Sequence, residues 1–201
     1  MIYIAETLLK IKAVSLSPKE PFTWASGIKS PIYCDNRLLM SHPQEWTTVI
    51  EALAAIIKEK YPETEYIMGT ATAGIPHAAA LARKLELPMG FVRSKAKDHG
   101  KAKQIEGEIM KGAKTLVIED LFSTGGSSIE AAKVCRDEGF DVLGILSIFT
   151  YGLDRCEKNF KDAGFAHDSA TNLTELLDLS IDQGDISPEE KKEILAWKET
   201  L

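Results

Sequence analysis

Cysteine is scarce in this chain. The three present, Cys34, Cys135 and Cys156, show no paired spacing, which points to a reducing compartment, the cytoplasm, rather than a disulfide framework. No Cys/His cluster has zinc spacing. Long apolar runs are missing: nothing approaches the roughly 20 residues of a membrane span. The apolar stretch within residues 1–12 is too short and too interrupted for a signal peptide. Surplus positive charge is absent too. The net charge of −6 argues against a general nucleic-acid or anionic-membrane surface. Internal repeats and low-complexity tracts are absent. Two common phosphate-binding signatures are also missing. No loop ends in Gly-Lys-[ST], as a Walker A loop must, and no G-x-G-x-x-G precedes an acid about 20 residues on.

What is there suits one α/β domain over residues 1–201, long enough for a substantial core. Residues 1–40 read differently from the rest. A helix is predicted over residues 2–14, then a small hairpin or flap punctuated by Ser17-Pro18, Glu20-Pro21, Ser26-Gly27 and Ser30-Pro31. From residue 41 helix and strand alternate. Ser41-His42-Pro43-Gln44 reads as a cap, a first-turn proline and a capping-box glutamine. Trp46, Val49, Ile50, Leu53, Ile56 and Ile57 then recur on one helical face. Strands are predicted over 66–68, 89–93, 115–118, 142–150 and near Phe165. Helices are predicted over 74–84, 127–138, 155–163 and 172–181, with a last one through Trp197 capped by Ser187-Pro188-Glu189-Glu190. Strands spaced by helices imply a parallel sheet with right-handed crossovers.

The most informative stretch is Val117-Ile118-Glu119-Asp120-Leu121-Phe122-Ser123-Thr124-Gly125-Gly126-Ser127-Ser128. A buried parallel strand that ends in acids delivers them to the carboxyl edge of a sheet, where open α/β folds bind ligands. The glycines let backbone N–H groups approach a phosphate, and the following helix offers free N–H groups and a positive dipole end. Glu119 and Asp120 then face something neutral and hydroxyl-rich, so a ribose 5-phosphate fits. The plainer alternative is a strand-turn-helix with Ser127-Ser128-Ile129-Glu130 as a capping box. It accounts for Ser127 and Glu130 but not for two acids at a strand end.

Three other segments bear on chemistry. Arg93-Ser94-Lys95-Ala96-Lys97-Asp98-His99-Gly100 opens a long polar loop reaching about Lys114, and concentrates cations in an acidic chain. Such a loop can close over a pyrophosphate and exclude water. Gly69-Thr70-Ala71-Thr72-Ala73-Gly74-Ile75-Pro76 sits at a strand-to-helix junction whose N–H groups suit a diphosphate. Phe22-Thr23-Trp24-Ala25-Ser26-Gly27-Ile28-Lys29-Ser30-Pro31-Ile32-Tyr33-Cys34-Asp35-Asn36-Arg37 places aromatics in the flap, where they can stack on a planar base.

The acidic strand and loop resemble the 5-phosphoribosyl 1-diphosphate (PRPP) motif of type I phosphoribosyltransferases. The flap is similar to F-T-x-x-S-G-x-x-S-P and the basic loop to R-x-x-x-K-D-H-G, both features of the orotate-using branch of that family. The resemblance covers roughly residues 1–150. It implies a parallel sheet flanked by helices (residues 41–201) with a small N-terminal hood (residues 1–40). It also implies transfer of the phosphoribosyl group of PRPP to orotate, giving orotidine 5′-phosphate and diphosphate.

By the same resemblance Arg93, Lys97 and His99 contact the pyrophosphate, with Lys97 and His99 reaching across a homodimer into the neighbour's site. Glu119 and Asp120 hold the ribose hydroxyls. Leu121, Phe122, Ser123, Thr124, Gly125, Gly126 and Ser127 wrap the 5-phosphate, and Ser123 also contacts orotate. Lys97, His99 and Asp120 are the catalytic candidates, with His99 either a charge partner or a proton donor to the diphosphate. Magnesium is expected to ride on PRPP rather than in a protein cage. Many relatives carry lysine where this chain has Ala25 and Ala73, and some where it has Ser94; Arg155 could pair with the orotate carboxylate, but the match around Gly152-Leu153-Asp154-Arg155 is too loose to assign it. Two alternatives are a different base, such as a purine, and a non-catalytic PRPP-sensing regulator. The regulator would lack the basic loop or carry a basic DNA-binding module, and neither holds here.

Overall fold

The structure, a computed structural model, describes residues 2–23, 29–94 and 104–200. α1 (Ile2–Lys10) buries Ile4, Ala5 and Leu8. It ends short of the anticipated Val14. Lys12 has a φ of 57°, a left-handed conformation that no α-helix continues, and Val14 enters a strand instead. β1 (Val14–Leu16), β2 (Phe22–Thr23), β3 (Lys29–Ser30) and β4 (Ile32–Cys34) form two small antiparallel ladders, β1 with β4 and β2 with β3. These make the hood.

A 3-10 helix (Asn36–Ser41) leads into α2 (Pro43–Lys60). Pro43 takes the first turn, where its missing N–H costs nothing. The expected capping box does not form. Ser41 still belongs to the 3-10 turn, so His42 precedes α2, and its side chain makes no capping bond. The apolar face read from the sequence is buried at Val49, Ile50, Leu53, Ile56 and Ile57, with Trp46 partly covered at its edge.

Strand and helix then alternate through β5 (Tyr66–Thr70), α3 (Gly74–Leu85), β6 (Met89–Val92), β7 (Ile105–Glu106), β8 (Lys114–Phe122), α4 (Gly126–Asp137), β9 (Asp141–Thr150), α5 (Asp154–Ala163), β10 (His167–Asn172), α6 (Leu173–Asp182) and α7 (Pro188–Lys198). Six strands form one sheet in the order β10-β9-β8-β5-β6-β7. All pairs are parallel except β6–β7. β5 is buried along its whole length, as a strand between two helical layers must be. α1, α2 and α3 pack together on one face, and α4 and α5 on the other. At α7 the capping box does form: Ser187 Oγ accepts from Glu190 N–H, and the Glu190 carboxylate accepts from Ser187 N–H.

The order of the strands creates the site. β5 and β8 are neighbours, yet β5 leads through α3 to β6 on one side while β8 leads through α4 to β9 on the other. Diverging connections open a crevice at the carboxyl ends of such strands. α3 presses close to it. A Cβ on Gly74 would lie 2.4 Å from the Ile118 carbonyl oxygen, so only glycine lets the first turn of α3 touch β8.

Candidate active site

β8 runs on past Ile118 to Phe122, so Glu119 and Asp120 lie within the strand rather than after it. Successive strand side chains leave the backbone on opposite faces, yet the two carboxyl groups remain within hydrogen-bonding reach of each other. Glu119 turns toward α4. Its Oε2 accepts from Ser127 Oγ at 3.0 Å and its Oε1 from the Asp120 N–H at 3.1 Å. Only 5% exposed, its carboxyl is pushed up to about 8, first by burial and then by the charge of Asp120.

Asp120 turns toward the hood. Burial is the main cause raising its pKa; the hydrogen bond with the Glu119 carboxyl and, to a lesser extent, the Arg37 guanidinium draw it down, while Asp35 pushes it up. Asn36 Nδ2 donates to the Asp120 carbonyl oxygen at 2.7 Å. Cys34 lies close by, its thiol pushed well up by burial and by the charges of Asp120 and Asp35. The Tyr151 hydroxyl is likewise raised by burial and by these neighbours.

Beyond Asp120 the string divides. Leu121 is half-buried, and Phe122 is buried in the core with its ring 4.9 Å from that of Phe160. The Phe122 side chain therefore faces away from any ligand, and its carbonyl accepts from Tyr151 N–H. Ser123 and Thr124 form the open turn, held from below by Asn159, whose Nδ2 donates to the Thr124 carbonyl at 2.9 Å. Gly125 has a φ of 74°, and a Cβ there would meet Phe160 Cε2 at 2.8 Å, so glycine is needed for two separate reasons. α4 then begins at Gly126 with no side-chain cap. The capping box read as an alternative is not made, because Ser127 spends its hydroxyl on Glu119 and Glu130 pairs with Lys133. The first N–H groups of α4 are thus left without a side-chain partner, as an anion requires.

Across the crevice lies the turn at residues 70–74, which contains the cis Ala71–Thr72 peptide and precedes α3, itself without a side-chain cap. Between this turn and α4 is a cavity of about 400 Å³, lined among others by Thr70, Ala71, Arg93, Ser94, Gln104 and Ser127. The Thr70 hydroxyl is buried there with no partner among the described residues. Arg93 stands at the end of β6, with Nη1 3.4 Å from Glu106 Oε1. Its backbone N–H donates to the Gln104 carbonyl at 2.9 Å, so the base of the basic loop is closed by the β6–β7 pairing.

Lys97 and His99 lie outside the described residues, as does Ala25. Arg155 is exposed in the first turn of α5. The structure thus places Arg93, Gly126 and Ser127 on the lining of one cavity, with Glu119 hydrogen-bonded to Ser127 beside it and Asp120 next along β8, while the Phe122 side chain lies in the core. Sequence reasoning missed Asn36, Glu106 and Asn159. Only the aromatics in the flap, and only the cations in the loop, carried a signal, and Asn159 sits in an ordinary polar helix.

The chain matches the phosphoribosyl transferase domain family over residues 39–173. It is 50% identical to the orotate phosphoribosyltransferase of Staphylococcus saprophyticus over 198 residues, covering 98% of each chain. Among solved structures, the orotate phosphoribosyltransferase of Aeropyrum pernix has a TM-score of 0.79 at 28% identity, covering 92% of this chain and 99% of that one. The UMP synthase of Leishmania donovani has a TM-score of 0.83 at 26% identity. It matches all of this chain, which spans 42% of that longer one. Half of all positions identical, over nearly the full length of both chains, makes this chain a member of the orotate phosphoribosyltransferase family.

Proposed function

We propose that the crevice between residues 70–74 and the β8–α4 junction binds PRPP beside orotate. The 5-phosphoribosyl group passes to orotate, giving orotidine 5′-phosphate and diphosphate in pyrimidine biosynthesis. The observation that carries this reading is the pairing of a buried carboxylate strand with an uncapped helix start, across a cavity from a second uncapped turn.

In the reaction the C1–O bond breaks, and its electron pair leaves with the diphosphate. N1 of the orotate anion then bonds to C1. The protein must hold both reactants in line and neutralise the leaving charge. The turn at 123–127 and the first N–H groups of α4 take the 5-phosphate. Asp120 holds a ribose hydroxyl and favours positive character on the ring. Glu119 acts beside it by tying Ser127 and the Asp120 N–H together. Ser123, in the open turn, borders orotate.

Arg93, with Lys97 and His99 of the following loop, receives the diphosphate. The Arg93–Glu106 pair is partly solvated, and such pairs are weak, so the guanidinium is available to a phosphate. The backbone at residues 70–74 covers part of what a lysine at Ala73 would supply. Magnesium would be held mainly by the phosphate oxygens of PRPP and by water, and would supply positive charge to the diphosphate.

The reading extends to a homodimer whose loops complete one another's sites, and to the cytoplasm, consistent with three free cysteines. Among the described residues no helix is long and apolar enough to cross a membrane. The choice of base is tested by incubating the chain with magnesium, PRPP and single bases. Orotate is expected to be consumed, and adenine, hypoxanthine and xanthine left untouched. Turnover of a purine with none of orotate would overturn the assignment.

A further inference from the structure

We infer that Asn36 is a positioning residue that registers the hood against the strand bearing Glu119 and Asp120. The inference rests on the reading of the crevice as a PRPP–orotate site. β4 ends at Cys34, and the chain then turns a stiff corner. The Asp35 N–H donates to the Ala13 carbonyl at 2.7 Å. The Asp35 carboxylate accepts from the Arg37 N–H at 3.2 Å and from its guanidinium at 2.6 and 2.8 Å. This corner turns Asn36 inward, where it is fully buried, an unusual place for asparagine.

Its Nδ2 donates to the Asp120 carbonyl at 2.7 Å. The β5–β8 ladder is registered as far as Gly69↔Ile118. The Asp120 carbonyl lies two residues further along β8, so a hood residue takes hold of the strand where it enters the site. The other amide atom, Oδ1, is buried with no partner among the described residues. A buried unpaired oxygen costs stability that an apolar side chain of similar size avoids. The use of Asn36 therefore lies in the one bond it makes. That bond sets the distance from Asp120 to β4, whose Tyr33 ring stands 5.8 Å from Phe22 in the aromatic part of the hood. Base and ribose must meet to within a fraction of an ångström, and a misplacement of about 1 Å commonly costs on the order of 100-fold in rate.

The test compares kcat, KM for each substrate and thermal midpoint in the native chain, Asn36→Leu and Asn36→Asp. Asn36→Leu leaves the Asp120 carbonyl without its donor, and is expected to lower kcat by about tenfold or more in a chain that still folds, with a thermal midpoint somewhat below native. In Asn36→Asp the new carboxyl donates to the Asp120 carbonyl only when protonated. Its activity relative to native should therefore rise as pH falls, while that of Asn36→Leu stays flat. Asp120 and Asp35 favour that protonation, Glu119 adds to it when ionised, and Arg37 opposes it. Cys34 and Tyr151 stay neutral. If Asn36→Leu does not fold, the isosteric Asn36→Asp variant carries the test alone. Native kcat in Asn36→Leu, or an Asn36→Asp to native ratio unchanged with pH, would overturn the inference while leaving the site reading intact. A native chain inert toward orotate overturns both.

Discussion

Gly74 shows how much a single residue can settle in this molecule. The atom that a side chain would strike is a backbone oxygen of β8 at 2.4 Å, which cannot swing aside as a flexible side chain would. Overpacking of a close-packed site costs typically 1–3 kcal/mol, so Gly74→Ala is expected to lose roughly 3 kcal/mol, read from urea unfolding. A variant as stable as native would mean that α3 and β8 are not held this tightly. The sequence marked this glycine only as part of a small-residue turn. The same limit applies at Glu119 and Asp120. Their adjacency was plain, and so was their use at a sheet edge. That both lie inside a strand, β8, which continues to Phe122, was not legible, because Leu121-Phe122 reads equally well as the start of a loop. Asn36 offered no signal, because its partner lies 84 residues away.

At the scale of elements, the joint between β8 and α4 is the sensitive one, and Glu119 is its pin. An ordinary glutamate ionises near 4.5, while burial holds this one up to about 8. Between those values the folded chain binds more protons than the unfolded chain, so stability declines as pH rises through that window. Glu119→Gln keeps the size without the charge and removes that contribution. The thermal midpoint of the ligand-free native chain, relative to Glu119→Gln, is therefore expected to fall between pH 4.5 and 8. Parallel profiles would contradict a buried, proton-holding Glu119. Which elements were legible follows from their surroundings. β5, β8 and β9 are buried runs and announce themselves. β10 is an edge strand of sequence His-Asp-Ser-Ala-Thr-Asn, without an apolar pattern, and β7 is two residues inside a polar loop. The start of α2 misled because serine followed by glutamine fits a capping box on paper, whereas the capping box set aside at α4 is indeed not made. In the fold one serine ends a 3-10 turn and the other serves Glu119.

At the scale of the whole molecule, the hood, the sheet edge and the basic loop act as one device only if their parts converge on the same substrate. If the sites are shared across a homodimer, as proposed, that becomes a matter of mixing. Lys97→Ala and Asp120→Ala chains, each inactive alone, should together recover about a quarter of native activity. Half the dimers are then mixed, and each holds one intact site of two. No recovery after proven subunit exchange would mean that the loop serves its own chain. The central claim, that this crevice transfers a phosphoribosyl group to orotate through Asp120, is met most directly by one rate. That rate is the loss of the orotate absorbance band in the presence of PRPP and magnesium, compared between the native chain and a folded Asp120→Asn variant. The account predicts turnover by the native chain and a rate on the order of 100-fold lower in the variant. A native chain that leaves orotate unchanged, or an Asp120→Asn variant that keeps pace with it, would contradict the account.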